Sequence, residues 1–426
     1  MRLWVVRQRP GGDSNVIAMK RVSGTIAEAL PEERTWPGPP EEGDLAALPG
    51  CPAVYLLLAS AQVPVQLATT QHLRRLAIAR LGNGQRSRPG KTNLAEIVRG
   101  VRWIRVASAF EARWRYYLLA RQMYPVRYRR LISFGPAWFL HIDLAQRIPE
   151  LRITQRIWHD AGDYVGPWLT QGAARKALDA LLDVFELCRH PEQVRRAPEG
   201  RRCAYADMGR CDAPCDGSVP LARYLARCRE AWSFVRGNTA AWLDEIKERM
   251  RQAARERRYE DASTYKRRMA WAWKWIEGTQ PLVRPAEELT DLLAVPAVRR
   301  RAWRLFLFWR GDLLVGPLLP DRKLPASAAA WLREQLQNLP EPAEPAIRME
   351  QTWLVAHFLA SRGGNVSLVE RLSGGEMPAD LEARLSERLI EQQGRPAEAA
   401  AGPDGGSDSD HETQTGNNPR HTGESV

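Results

Sequence analysis

Four of the six cysteines of this chain lie within one stretch of 28 residues. They are Cys188, Cys203, Cys211 and Cys215, separated by fourteen, seven and three residues. Thiolates this close along a chain can converge on one soft metal centre, either a tetrahedral zinc ion or an iron–sulfur cluster. Gly209, Pro214 and Gly217 favour the tight turns that such wrapping requires. The stretch therefore predicts one shared metal centre held by a loop.

The spacing leaves other arrangements of the cysteines open. It is not a repeated CxxC knuckle, so the spacing alone does not single out zinc. Two disulfides are a rival arrangement, but nothing else in the sequence indicates secretion. Four unlinked cysteines are the plainest alternative.

Length and charge set the wider expectations. A chain of 426 residues, 44% of them hydrophobic, is long enough for several folded domains. Its net charge of +12 and pI near 9.7 predict an acidic partner, with nucleic acid ahead of a membrane surface; a merely basic protein is the alternative. No apolar run reaches the ~18 residues of a membrane span, and the N-terminus has no sustained apolar segment. We therefore expect a cytoplasmic protein without membrane contact.

The residues around the cysteines resemble a known family. The segment RRCAYADMGRCDAPCDG is similar to RPCLYYQIGRCLAPCVG of UvrC, the incision subunit of bacterial nucleotide excision repair. Residues 151–188 and Leu243–Met269 also resemble UvrC segments, the second of them its UVR motif. The resemblance is discontinuous and covers roughly residues 45–375. It implies that the four cysteines hold a [4Fe–4S] cluster, with Zn²⁺ as the alternative.

Residues 46–130 are similar to the GIY-YIG nuclease domain at the front of UvrC. The strand AVYLLLA, the shorter strand VPVQLAT and the basic helix QHLRRLAIARL follow that domain's order. The resemblance implies a tyrosine pair that prepares water, an arginine that stabilises phosphoryl charge, and a glutamate that holds Mg²⁺ or Mn²⁺.

The nuclease residues are mostly replaced. The first tyrosine is Tyr55, and the other family positions hold Gln66, Leu76 and Tyr116. Glu111 is the only carboxylate in the helix EARWRYYLLARQ, and it lies about 140° around that helix from position 116. A one-residue misalignment restores an arginine, Arg75, but no carboxylate. We therefore interpret residues 46–130 as a degenerate nuclease fold.

Basic residues in the same region are candidates for DNA binding. They are His72, Arg74, Arg75, Arg80, Arg86, Arg88 and Lys91. Phosphate contact needs only charge and reach, although a solvated surface face has the same composition. Many of the tryptophans have an arginine within two positions, which fits base stacking or an ordinary core position. Examples are Trp103, Trp114, Trp158, Trp303 and Trp309.

Two amphipathic stretches after the cysteines predict a helical hairpin that resembles the UVR motif. In UvrC that motif docks on a like hairpin of UvrB, which implies a UvrB-like helicase subunit as partner. The residues predicted to bind it are Leu243, Ile246, Met250, Tyr259, Glu260, Ala262, Tyr265 and Met269. The family's LRD reads Tyr265-Lys266-Arg267 here, so the aspartate is lost. An internal hairpin without a partner is the alternative.

The predicted fold class is α/β (α+β) in several domains. An extension and linker (1–45) precedes the nuclease-like domain (46–130). A connector with the cysteines (131–217) follows, in which DYVGPW is expected to form a tight turn. Then come the helical region with the hairpin (218–278), a second small α/β unit (285–375) and a disordered tail (395–426). Within the α/β unit, RAWRLFLFWRGDLLVGPLLP predicts two strands, and TWLVAHFLASRGG predicts a strand followed by a helix.

These patterns lead to a functional expectation. The protein is expected to be a UvrC-like nucleotide excision repair protein that binds damaged double-stranded DNA and a UvrB-like partner, with an inactive nuclease site. The alternative is an active metal-dependent endonuclease that makes a single incision, which would use Mg²⁺ or Mn²⁺. A metal-stabilised interaction protein without a DNA role is the third possibility.

Overall fold

The computed structural model describes residues 4–6, 19–21, 26–60, 63–82, 93–133, 135, 137–278, 282–299, 301–361 and 367–393. These residues form a mixed α/β fold with three four-stranded antiparallel sheets and flanking helices. A further two-stranded pair joins β1 (Trp4–Val6) to β2 (Met19–Arg21). The predicted tail at 395–426 and three of the predicted DNA contacts, Arg86, Arg88 and Lys91, lie outside the described residues.

The first sheet contains the strands of the predicted nuclease-like region in the order β3-β6-β4-β5. These are β3 (Glu32–Thr35), β4 (Ala53–Leu58), β5 (Pro64–Thr70) and β6 (Gly100–Arg105). The central strand β4 reads AVYLLL and is buried along its whole length, because alternate side chains enter two different cores. Strand β3 comes from the segment predicted as a linker and pairs with β6 at the sheet edge.

Six helices lie before, between and after these strands along the described part of the chain. They are α1 (Ile26–Ala29), α2 (Glu42–Ala46), α3 (Leu73–Leu81), α4 (Leu94–Ile97), α5 (Ala109–Met123) and α6 (Tyr128–Leu131). Helix α5 is capped by Ser108, whose hydroxyl accepts the Glu111 amide, and it ends just before Pro125 as predicted.

The second sheet has the order β10-β9-β7-β8. Its strands are β7 (Trp138–Ile142), β8 (Arg152–Thr154), β9 (Asp163–Trp168) and β10 (Arg284–Pro285). The tight turn predicted for DYVGPW was wrong, because this segment is strand β9. It pairs with β7 on one side and β10 on the other, and it buries Tyr164, Val165 and Trp168. Cross-strand pairing and burial on both faces therefore outweigh the Gly-Pro turn signal.

Helices pack against the second sheet and form the second core. They are α7 (Gln171–Val184), α8 (Pro191–Val194), α9 (Ala204–Asp207), α10 (Leu221–Val235), α11 (Thr239–Arg255) and α12 (Tyr259–Gly278). Helices α11 and α12 form the predicted hairpin, and α12 also packs on α7.

The third sheet has the order β13-β12-β11-β14. It contains β11 (Thr290–Pro296), β12 (Ala302–Trp309), β13 (Asp312–Pro320) and β14 (Leu368–Arg371), with helices α13 (Leu324–Gln337), α14 (Pro345–Leu359) and α15 (Leu381–Gln393). The hairpin of β12 and β13 is confirmed. The strand predicted at the start of TWLVAHFLASRGG was wrong. That stretch lies in α14, whose residues 347–356 are all buried, so no helical periodicity was visible in the sequence.

One core joins the first and third sheets through helix α5. The Phe110 ring lies edge-on to Phe306 at 4.9 Å and stacks on Phe358 at 4.2 Å. Of the tryptophans with arginine neighbours, Trp103, Trp114 and Trp303 are buried. Trp158 and Trp309 are half-buried and lie beneath arginine side chains of the same chain. No helix among the described residues is long and apolar enough to cross a membrane.

Candidate functional sites

Tyr55, which was predicted to be a remnant of a nuclease site, is fully buried in the core beneath α3. Its hydroxyl has no hydrogen-bond partner among the residues that the structure describes. Burial raises the pKa of the phenol, while nearby Arg80 lowers it and Tyr116 raises it. A buried neutral phenol without an adjacent base cannot activate a water molecule.

In the structure, Tyr55, Gln66 and Tyr116 lie in one group with an arginine, Arg80. Gln66 on β5 accepts a hydrogen bond of 3.3 Å from the Arg80 guanidinium, and Arg80 and Tyr116 lie close enough to Tyr55 to affect the pKa of its phenol. Arg80 is four residues after Leu76, so it lies on the same face of α3 one turn later. This group holds one cation and no carboxylate. It can contact a phosphate but offers no ligand of the type that Mg²⁺ prefers.

Glu111 does not replace the missing metal ligand, because it is fully buried in an ion-pair network. Its carboxylate accepts hydrogen bonds from the Ala107 amide at 2.8 Å, Arg115 Nε at 2.9 Å and Arg304 Nε at 3.1 Å. Burial alone would raise the pKa of this carboxyl, but the two guanidiniums and the amide hold it below its usual value. Glu111 therefore fastens α5 to strand β12.

The predicted DNA-binding residues on α3 divide into two groups. The His72 ring accepts the Arg75 amide as the N-cap of the helix, and Arg74 Nε donates to the Leu48 carbonyl at 2.6 Å. These two side chains therefore also stabilise local structure. Arg75 and Arg80 are exposed and are the described members best placed for phosphate contact.

Three of the four clustered cysteines lie near one another. The pKa of Cys188 is raised by its hydrogen bond with Cys211 and by burial, and Cys215 adds to the rise. The same hydrogen bond lowers the pKa of Cys211 against the opposing effect of burial. Cys215 is buried, and Cys203 is half-buried at the N-cap of α9. Within the described ranges, no three His, Cys, Asp or Glu side chains are placed to hold a metal ion.

Two of these thiols also accept hydrogen bonds from backbone amides. Backbone amides point at the sulfurs: that of His190 donates to Cys188 at 3.3 Å, and that of Ala213 to Cys211. Gly209 and Gly217 adopt positive φ, which confirms the predicted turns. A cavity of about 480 Å³ opens beside Cys188, with Arg152, Arg175 and Arg189 in its lining.

The hairpin uses part of its apolar stripe inside the chain. Ile246 is buried, and Leu243, Tyr265 and Met269 pack against the second core. Arg268, which sequence reasoning missed, is buried and donates to the Val184 carbonyl. The remaining predicted docking residues lie towards the tip of the hairpin. Tyr259 is 68% exposed, Glu260 is exposed, and Met250 and Ala262 are half-buried.

Comparison with known proteins places the cysteine-containing segment in a family. Residues 137–234 match the model described as the UvrC/Cho excinuclease middle domain, which covers β7 to α10. Three relatives are each named UvrABC system protein C. That of Citrifermentans bemidjiense is 27% identical over 219 residues, 51% of this chain and 35% of the relative.

The other two relatives are similarly distant. The protein of Geobacter metallireducens is 27% identical over 277 residues, 65% of this chain and 44% of its own. That of Syntrophus aciditrophicus is 29% identical over 225 residues, 52% of this chain and 36% of its own. The chain thus covers less than half the length of these relatives. No solved structure matches it.

Proposed function

Because this chain belongs to the UvrC family, we propose that it is a nucleotide excision repair protein that binds DNA and a UvrB-like partner without cutting DNA at residues 46–130. The observation that carries the proposal is the group around Tyr55, which keeps a cation but has no carboxylate. The helix that would supply the metal ligand uses its only carboxylate, that of Glu111, in a buried ion pair.

The alternative is an active endonuclease that makes a single incision with Mg²⁺ or Mn²⁺. The observation that favours it is the proximity of Tyr55, Arg80 and Tyr116. It lacks a hard oxygen ligand for the metal, and an incision assay decides between the two.

DNA binding is expected to depend on exposed arginines of α3. Each arginine that neutralises a phosphate releases about one counterion, so affinity should fall steeply with salt. The double variant Arg75→Gln/Arg80→Gln should bind more weakly and lower the slope of log K against log[salt] by about one per lost contact. Fluorescence anisotropy with a damaged duplex at several salt concentrations measures both effects.

A matched control for this experiment uses two arginines at helix α13, one just before the helix and one within it. Arg322 and Arg333 are both exposed, so Arg322→Gln/Arg333→Gln changes the net charge equally on another surface. An equal loss of DNA affinity in both double variants would show that the effect comes from the overall charge and not from a contact of α3. Affinity that does not vary with salt would contradict phosphate binding.

For the cysteines, we propose a [4Fe–4S] cluster held by Cys188, Cys203, Cys211 and Cys215. The supporting observations are the hydrogen bond between the Cys188 and Cys211 thiols and the backbone amides that donate to the sulfurs. When bound, such a cluster exchanges single electrons at a potential tuned by hydrogen bonds to its sulfurs. The backbone from His190 to Ala213 would supply those hydrogen bonds.

Protein purified without oxygen is expected to be brown, to absorb near ~400 nm and to contain iron and sulfide. Cys211→Ser should lose the colour and most of the iron, because the remaining thiols cannot complete the ligand set. Cys51→Ser is the matched control, since Cys51 lies just before strand β4 of the first sheet, where Arg105 and Glu32 are its charged neighbours. Colourless protein that contains one zinc ion would assign the site to zinc instead of a cluster. Protein without any metal would contradict both assignments.

For the partner, we propose that a UvrB-like subunit docks on the tip of the hairpin. Tyr259 and Met250 provide apolar surface there, and Glu260 provides charge. The inner part of the stripe packs against the chain itself, so the docking surface is smaller than the sequence pattern predicted.

A further inference from the structure

Helix α12 presents a tryptophan to solvent. Trp273 is 50% exposed, whereas every other tryptophan whose burial the structure describes is buried or half-buried. Its neighbours Ala272 and Trp275 face the second core, so the helix is held while the Trp273 indole points outward. An ordered, outward-facing indole offers a flat apolar surface at little cost in conformational entropy.

The residues around Trp273 are basic. At about 100° per residue, Lys266 and Ala270 lie within about 60° of Trp273 around the helix and Lys274 lies about 100° away, and all three are exposed. Ala270 precedes Trp273 by three residues and has only a single methyl group as its side chain. Arg267 lies about 120° around the helix, over the Trp271 ring at 5.5 Å, and is a further cation on the flank of this surface. Glu277 is the one carboxylate on this side from 266 to 277, so the surface carries a net positive charge.

This combination matches the chemistry of single-stranded nucleic acid binding. An aromatic face stacks on an unpaired base, and cations beside it neutralise the phosphates. Bases within a duplex are already stacked on each other and cannot cover the indole. The charge argues against an apolar protein partner, because three cations with Glu277 as their one nearby counter-charge on the helix would have to be desolvated. We propose that Trp273, with Lys266, Arg267 and Lys274, binds single-stranded nucleic acid by base stacking.

This surface is separate from the others described above. Trp273 lies fourteen residues beyond Tyr259, about 21 Å along the helix from the hairpin tip. Its helix packs on the second core through Ala272 and Trp275, whereas α3 packs on the first sheet. The inference shares with the proposed function only the premise that the ligand is nucleic acid.

The test uses the full chain and a dye-labelled oligothymidine, with a duplex of equal length for comparison. Trp273→Ala should weaken oligothymidine binding about 5- to 150-fold, the range expected for one lost base stack. Its effect on duplex binding should be within about twofold. Trp273→Phe should restore most of the affinity, because phenylalanine also stacks. Lys266→Gln/Lys274→Gln should lower the salt slope without removing the stacking effect.

The control is Ile390→Ala, which removes another exposed apolar side chain, 71% exposed on α15. Oligothymidine binding that is unchanged in Trp273→Ala would overturn the inference. If the Arg75/Arg80 variant still loses duplex affinity in that case, the proposed function stands and only this inference fails. If the wild-type protein binds neither ligand, both fail. Self-association that Trp273→Ala abolishes, with DNA affinity intact, would assign the surface to protein contact and also overturn the inference.

Discussion

Replacing Glu111 by alanine is expected to lower the free energy of unfolding by about 3–5 kcal/mol. The carboxylate is fully buried between Arg115 and Arg304, and the variant would leave both guanidiniums without it in the interior. Burial lowers the pKa of Arg304, which shows that its charge is already costly in the folded protein. Urea unfolding followed by circular dichroism measures the loss.

The matched control is Glu245→Ala. Glu245 pairs with Arg249 one turn away on α11, and both side chains are about half exposed. Exposed pairs contribute about 0–1 kcal/mol, so this variant should unfold nearly like the wild type. Equal stability of the two variants would show that Glu111 is not structurally bound and would reopen its role as a metal ligand. Lost nicking in Glu111→Ala alone is no evidence for catalysis, because the variant is expected to unfold more readily.

Purified protein is expected to show no metal-dependent incision of damaged DNA above background at residues 46–130. Gln66 takes no proton at useful pH, Leu76 carries no charge, and burial raises the pKa of Tyr116, which stays a neutral phenol. Loss of one electrostatic group typically costs ~10²–10³ in rate. The three losses combined leave no turnover even if they are not additive. The measurement is nicking of ultraviolet-damaged supercoiled plasmid with Mg²⁺ or Mn²⁺.

The variant that makes this negative result informative is Tyr55→Phe. It removes only a hydroxyl that is buried and lacks a hydrogen-bond partner, so its fold and its background signal should match the wild type. Robust nicking by the wild type that Tyr55→Phe abolishes would instead establish the endonuclease alternative. Nicking that both proteins share would indicate a contaminating nuclease or a site elsewhere in the chain.

Helix α5 illustrates why these two predictions belong together. Besides Glu111, it contributes Tyr117, whose hydroxyl donates to the buried Glu350 carboxylate at 2.7 Å. Tyr128 donates to the same carboxylate at 2.6 Å, and Arg129 at 3.0 Å. Helix α5, which would carry a metal ligand in a nuclease, therefore connects the first and third sheets through buried charges. A free carboxylate at position 116 is absent, and the one at position 111 is committed to that connection.

Local patterns in the sequence predicted much of the fold. The apolar run AVYLLL, the hairpin RAWRLFLFWRGDLLVGPLLP and the amphipathic helices of the hairpin formed where predicted. These features succeed because each depends on side-chain periodicity, turn residues or short loops, which a few neighbouring positions encode.

The sequence by itself determined the family resemblance and the clustering of the cysteines along the chain, since those rest on residue identity. Tertiary structure alone decided that Glu111 pairs with Arg304, 193 residues away, and that Trp273 faces solvent while Trp275 is buried. It also made DYVGPW a strand and buried part of the hairpin's apolar stripe against the second core. The physical reason is that burial and charge pairing depend on which distant surfaces meet, and no local period records that.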